Sequence, residues 1–216
     1  MPRLTNTPGH VFKLPIFHTM LKVKLFVDIQ NEFIIGKFKS EEAVKNLSGI
    51  LELLNETCDE SEDTVLNIAT CRTHEEDFLE TLSGQRFPIP HCIAGTEGHK
   101  LNAEFNAALS KTKYHRTLLT YSHGSLLLPA EIDVFRYEYG LDDEEMEIEV
   151  CGCDVSRDVL AHAVILRNYF PESKITVYTD LCSAAKPFIS RRLGQAAIES
   201  LIGLDIDIQQ YYSKSE

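Results

Sequence analysis

Val150-Cys151-Gly152-Cys153-Asp154-Val155-Ser156-Arg157-Asp158-Val159-Leu160-Ala161 reads as the end of a buried strand, a glycine-containing turn and the start of a helix. In an α/β chain a strand-to-helix junction of this kind presents reactive side chains at the rim of the sheet. Here the side chain presented is a carboxylate, Asp158. The acid has a second physical reading, because a negative charge in the first turn of a helix is favourable against the helix dipole by about 0.3–1 kcal/mol.

Outward from this junction, strand and helix signals alternate along the chain. Short apolar runs at Val23–Val27, Val65–Ala69, Thr117–Tyr121, Glu147–Cys151, Ile175–Tyr178 and Asp205–Ile208 read as six strands. Between them, helical spacing marks Glu41–Leu54, with Ser40 as its N-cap, and then Leu101–Leu109, Pro129–Tyr137, Ser156–Tyr169 and Pro187–Ile202. Strands separated by helix-length crossovers predict an α/β fold, a three-layer α/β/α sandwich around a mostly parallel six-stranded sheet of Rossmann-like kind. Residues 21–216 read as a single domain, and 1–20 as an N-terminal arm that mixes Pro, His and polar residues without the sustained apolar stretch of a secretory signal. Arg72 to His99 carries Pro and Gly without periodicity, a loop length usually reserved for function. Cys58–Asp63 and Leu141–Glu145 read as acidic connections.

Composition narrows the function classes. The 216 residues are 44% hydrophobic and 25% charged, as in an ordinary globular domain, and the formal net charge is -12. That balance argues against nucleic acid as a partner, since a phosphate backbone demands a basic footprint. No apolar run reaches the length of a transmembrane helix, so a membrane is not an expected partner either. The six cysteines are scattered, several in strand contexts, which fits buried thiols in a reducing compartment such as the cytoplasm. Cys151-Gly-Cys153 lacks the CxxC spacing of a redox pair or a structural zinc site.

In a parallel sheet the ligand site lies beyond the carboxyl ends of the strands. The polar residues there are Asp28 after the first strand, Arg72 and His74 after the second, Ser122 and His123 after the third, and Ser156 to Asp158 after the fourth.

These residues carry a family resemblance. Phe26-Val27-Asp28-Ile29-Gln30-Asn31-Glu32-Phe33 resembles the first-strand motif of the isochorismatase-like cysteine hydrolases, the superfamily that includes nicotinamidase. Thr73-His74-Glu75-Glu76-Asp77-Phe78, followed by His91-Cys92-Ile93-Ala94-Gly95-Thr96-Glu97-Gly98, resembles its second-strand loop and His-Cys-x-x-Gly-Thr-x-Gly signature. Val150 to Ala185, with Tyr178-Thr179-Asp180-Leu181-Cys182-Ser183, resembles the nucleophile strand, turn and helix and the strand after them. The matches run in order from about Val23 to the C-terminal helix.

The resemblance implies a hydrolase site in which an Asp and a Lys activate a Cys for attack on an amide or related carbonyl. Carried over by position, the Asp is Asp28, the Lys position falls at Thr120 and the Cys position at Asp158, six residues after Gly152. One of the three catalytic types remains. The family's metal site, an Asp and two His, maps to Arg72, His74 and His91, and a cation in the ligand set opposes a divalent metal. No metal and no other cofactor is therefore expected.

Asp28 and Asp158 are expected to face one pocket, where two carboxylates need a compensating cation. Arg72 is the natural one, with His123 a second candidate, so an Arg72–Asp28–Asp158 cluster is expected to line a pocket that also draws on His74, His91, Ser122, Phe33 and Cys153. Phe33, Tyr121 and Phe78 serve equally as pocket walls or core. Cys153 lies at the strand end, away from the helix N-terminus that would activate a thiolate.

Three functions fit: a repurposed, catalytically impaired protein binding a small molecule or partner in the inherited pocket; a hydrolase working through Asp28 and Asp158 on an amide or vinyl ether; or an assembly protein. The first is favoured by the loss of both Cys and Lys. A homo-oligomer, dimer or tetramer, is expected under all three.

Overall fold

The computed structural model describes residues 20–56, 64–141, 144–184 and 191–215. The expected arm, the acidic connection at 58–63, positions 142–143 and the first residues expected of the last helix, 187–190, lie outside them.

Six strands form one sheet in the order β3-β2-β1-β4-β5-β6. They are β1 (Leu21–Val27), β2 (Thr64–Arg72), β3 (His115–Thr120), β4 (Met146–Cys153), β5 (Lys174–Ser183) and β6 (Asp207–Gln209), and every pairing is parallel. The helices are α1 (Asn31–Ile34), α2 (Glu41–Asn55), α3 (Leu82–Arg86), α4 (Ala103–Leu109), α5 (Leu128–Tyr139), α6 (Leu160–Tyr169) and α7 (Arg191–Ile202). Helices α2 and α4 pack together, as do α5 with α6 and α6 with α7, and the helices cover the sheet on both sides. This is the expected α/β sandwich.

The central strands are buried on both faces. Val23, Leu25 and Phe26 on β1, Leu66 and Ile68 on β2, and Ile148 and Val150 on β4 are inaccessible or nearly so, as a doubly covered parallel sheet requires. One residue in this core is a lysine. Lys24 Nζ donates to the carbonyls of Leu53 (2.6 Å) and Glu56 (3.2 Å) and lies 3.7 Å from Glu56 Oε2. The buried ammonium thus caps the C-terminus of α2, where the helix leaves carbonyl oxygens without intrahelical donors. At the other end of α2, Ser40 accepts from Ala43 N–H, the expected cap.

Several boundaries differ from the sequence reading for identifiable reasons. The helix expected from Leu101 begins at Ala103, because Asn102 takes the cap, accepting from the amides of Glu104 and Phe105, while Leu101 bridges to Gln30. β5 extends to Ser183 rather than Tyr178, past an irregularity opposite Val150 and Gly152. β6 starts at Asp207 rather than Asp205, which sits in a left-handed turn (φ 57°). The aperiodic 72–99 stretch holds α3 and a 3-10 turn at Phe78–Glu80.

Gly152 fixes how β4 passes β1 beside the site. Its φ is +126°, and a Cβ there would run into the backbone of Val27. Replacement adds left-handed strain to a backbone collision, so Gly152→Ala is expected to cost on the order of 3 kcal/mol in urea unfolding. An unchanged midpoint would contradict this packing.

Candidate functional site

The site forms where β1, β2, β3 and β4 end. Asp28 directly follows β1 with φ 51°, a left-handed conformation that Asp tolerates better than most residues. Thr70 on β2 fixes it from two sides: Asp28 N–H donates to Thr70 Oγ1 (3.1 Å), and the Thr70 hydroxyl donates to Asp28 Oδ1 (2.7 Å). Asp28 Oδ2 has no hydrogen-bond partner among the described residues.

Arg72 ends β2, and Gln30 sets its backbone. Gln30 Oε1 accepts from Arg72 N–H (2.9 Å), and its Nε2 donates to the carbonyls of Arg72 (2.9 Å) and His99 (2.6 Å). The buried guanidinium turns inward. Its Nη2 pairs with Asp158 Oδ1, and its Nε lies 3.9 Å from Asp28 Oδ2. Burial pulls the Arg72 pKa down and the Asp28 carboxylate pulls it up; an arginine keeps its charge through such shifts. The structure thus brings together the three charges that the sequence placed on one rim.

Asp158 is presented by a turn wider than an α-helix. Residues Val155–Val159 form a π-helical turn ahead of α6, with Asp158 and Val159 amides both donating to Asp154 O (2.9 and 3.0 Å). Asp154 Oδ1 caps this turn, accepting from Ser156 N–H (2.8 Å) and from its hydroxyl (2.9 Å). The peptide bond before Asp154 is cis. The expected single helix from Ser156 is therefore a π-turn followed by α6.

His123 closes the outer side, with its side chain half exposed. Its Nδ1 lies 3.1 Å from both Arg72 Nη2 and Asp158 Oδ1. Burial, then the charges of Arg72 and Arg157, push its pKa down to about 4, so the ring is neutral at pH 7. A neutral imidazole Nδ1 either accepts from Arg72 or donates to Asp158, not both.

His74 and His91 stand beside the cluster, ring centroids 4.7 Å apart. His91 Nδ1–H donates to Ile89 O (2.8 Å), and Phe78 packs 4.3 Å from His74. Burial, then His91 and Arg72, lowers His74 to about 3; burial also lowers His91, against its backbone hydrogen bond. Two neutral imidazoles and a guanidinium do not fit a divalent metal, because the third position repels it. Among the described residues no group of three or more His, Cys, Asp or Glu is placed to hold a metal ion.

Thr120 ends β3 in register with Arg72; it is buried, and its hydroxyl makes no hydrogen bond among the described residues. Ser122 stays outside the cluster, exposed, with its hydroxyl directed to Gly124 O (3.4 Å). Phe33 and Cys153 belong to a small apolar cluster with Phe38 and Cys92 rather than to an open wall. Phe78 is core and Tyr121 is exposed. The described cysteines are free and buried. Burial pushes Cys71 and Cys182 up to about 12, and Cys92, Cys151 and Cys153 also rise, so none is poised as a thiolate.

Three supporting residues escaped the sequence reading: Thr70, Gln30 and His162. His162 on α6 is fully buried; its Nδ1–H donates to Asp158 O (2.7 Å), and its Nε2 has no partner among the described residues. Thr70 and His162 are polar residues set in apolar runs, which is the signal that could have found them, whereas Gln30 lies in a polar stretch that carries no such signal.

The arrangement defines a parallel α/β protein whose site sits at the carboxyl ends of its central strands. Its fold is that of the isochorismatase-like hydrolases. Nicotinamidase/pyrazinamidase from Bacillus subtilis superposes with a TM-score of 0.68 at 16% identity, covering 88% of this chain and 100% of that one. An isochorismatase family protein from Desulfovibrio vulgaris gives 0.64 at 19% identity, covering 90% and 96%. N-carbamoylsarcosine amidase from Thermoplasma acidophilum gives 0.62 at 17% identity, covering 89% and 96%. No family model and no curated protein matches the sequence.

The buried histidines make stability pH-dependent. Burial lowers His162 to about 4, against the usual 6.5. Below pH 6.5 the unfolded chain binds a proton that the folded one refuses until about pH 4, so stability falls across that window. For His162 alone the loss is on the order of 3 kcal/mol. Thermal melts from pH 7 to pH 4 should show a steeper drop in Tm for the wild type than for His162→Gln. Equal slopes would contradict the buried neutral imidazole.

Proposed function

We propose that this chain is a repurposed, non-hydrolysing relative of the isochorismatase-like hydrolases, with a binding function in place of amide cleavage. The observation that carries this reading is the Arg72–Asp158 ion pair. The resemblance places a nucleophilic thiol where Asp158 stands, and Arg72 pairs with that carboxylate. Thr120 stands at the position of the activating lysine and offers a hydroxyl that carries no charge. With Asp28, Arg72, Thr120 and Asp158 all buried, little of the cluster faces solvent. Recognition then falls to the exposed rim, where His123 and Ser122 stand, and to the outer surface. This favours a protein partner over a small metabolite seated between the two carboxylates.

A hydrolase is the second reading, and Asp28 favours it. A buried carboxylate oxygen without a hydrogen-bond partner is costly in a purely structural role and available as a general acid or base. Ammonia release from a panel of amides that includes nicotinamide, run beside Asp28→Ala, separates the two. The expected result is no release above the variant. Turnover abolished by Asp28→Ala would overturn the non-hydrolytic reading.

A further inference from the structure

β3 ends the sheet on one side. The carbonyls of Tyr114 and Thr120 accept from the amides of Asn67 (3.0 Å) and Thr73 (2.8 Å) on the β2 side. In a parallel strand each residue turns its N–H and C=O to one side, and successive residues alternate. The even-numbered residues of β3 therefore face β2, and His115, Thr117 and Leu119 face away from it. The His115 carbonyl is taken by Arg116 Nη1 (3.1 Å). The backbone groups of Thr117 and Leu119 have no backbone partner on the outer side among the described residues. Both side chains are exposed, that of Leu119 in a residue 46% accessible. An open edge is a template for a further strand, and proteins commonly guard it with lysine or proline. Neither occurs from His115 to Thr120.

The sequence around this edge differs in charge from the chain as a whole. Between Glu104 and Glu131 there is no acidic residue, while Lys111, Lys113 and Arg116 all fall within that stretch of a chain with net charge -12. Arg116 pairs with Glu138 (3.4 Å). Lys111 and Lys113 are exposed just ahead of the strand, and neither forms an ion pair among the described residues. At the far end, exposed Tyr121 follows the strand directly.

We propose that the β3 edge takes an extended acidic segment of a partner protein as a further strand, with carboxylates at Lys111 and Lys113 and apolar side chains at Leu119 and Tyr121. Main-chain hydrogen bonds to Thr117 and Leu119 supply the pairing, and the two lysines at one end set the direction of the bound strand. A second copy of β3 does not meet this requirement, because the stretch that carries it holds no acid. The assignment rests on the reading of the rim as a protein-binding surface and names the class of partner. Tyr121 leads directly to Ser122 and His123, so the bound strand runs along the edge that ends at that rim.

The test is amide NMR on the isotope-labelled full chain, titrated with a short blocked peptide of two glutamates followed by alternating valine and threonine. The control peptide carries lysines in place of the glutamates. The acidic peptide is expected to shift the amides of Thr117 and Leu119 with a Kd of about 1 mM or tighter, and the lysine peptide to bind at least about tenfold more weakly. Lys111→Glu combined with Lys113→Glu is expected to weaken the acidic peptide by at least about fivefold. Thr117→Pro removes only an outward N–H, which an edge strand tolerates; it is expected to abolish binding while leaving the rest of the spectrum in place. Shifts confined to Ser122 and His123 would keep the binding reading and overturn strand addition. Equal binding of the two peptides, binding of neither, or a Thr117→Pro variant that binds like the wild type would also overturn it. Turnover in the amide assay would count against the binding reading alone, since it does not bear on the shifts at Thr117 and Leu119.

Discussion

The site depends on one interaction, the buried ion pair between Arg72 and Asp158. A carboxylate held away from water is costly unless it is paired and hydrogen-bonded. Two of them, Asp28 and Asp158, share one guanidinium. Gln30 holds the backbone of Arg72, Thr70 holds Asp28, and the capped π-turn holds Asp158. Each of these devices comes from a different strand end, so the cluster ties β1, β2 and β4 together at the rim where their sheet pairing stops.

The same guanidinium bears on the histidines at this rim. Burial, and then the charge of Arg72 among other neighbours, lowers the pKa of both His74 and His91. His123 is kept neutral by burial and by the same guanidinium. Arg72, Asp28 and Asp158 form a buried cluster in which one guanidinium stands between two carboxylates.

Much of this was legible in the sequence. The fold followed from strand runs separated by helical spacing, and the convergence of Asp28, Arg72 and Asp158 followed from the rule that strand ends face one rim. The supporting residues were harder to see. Gln30 works through its amide on a backbone 42 residues away, and His162 through a carbonyl one turn earlier; neither spacing is periodic with a motif. Lys24 was counted within an apolar run, and only the position of the α2 C-terminus explains its burial. Ser122 was expected in the pocket because it follows β3, but the loop turns its side chain outward, and strand position alone does not specify that turn.

The central claim is that Arg72 and Asp158 act as a coupled pair. A double-mutant cycle with Arg72→Met and Asp158→Asn, read by urea unfolding at pH 7, measures it directly. Arg72→Met alone leaves two buried carboxylates without their cation and is expected to cost about 3–5 kcal/mol. The double variant is expected to recover at least about 2 kcal/mol relative to additivity. Strictly additive costs would mean that the two side chains are independent, and the account of the site as a charge-locked core would fall.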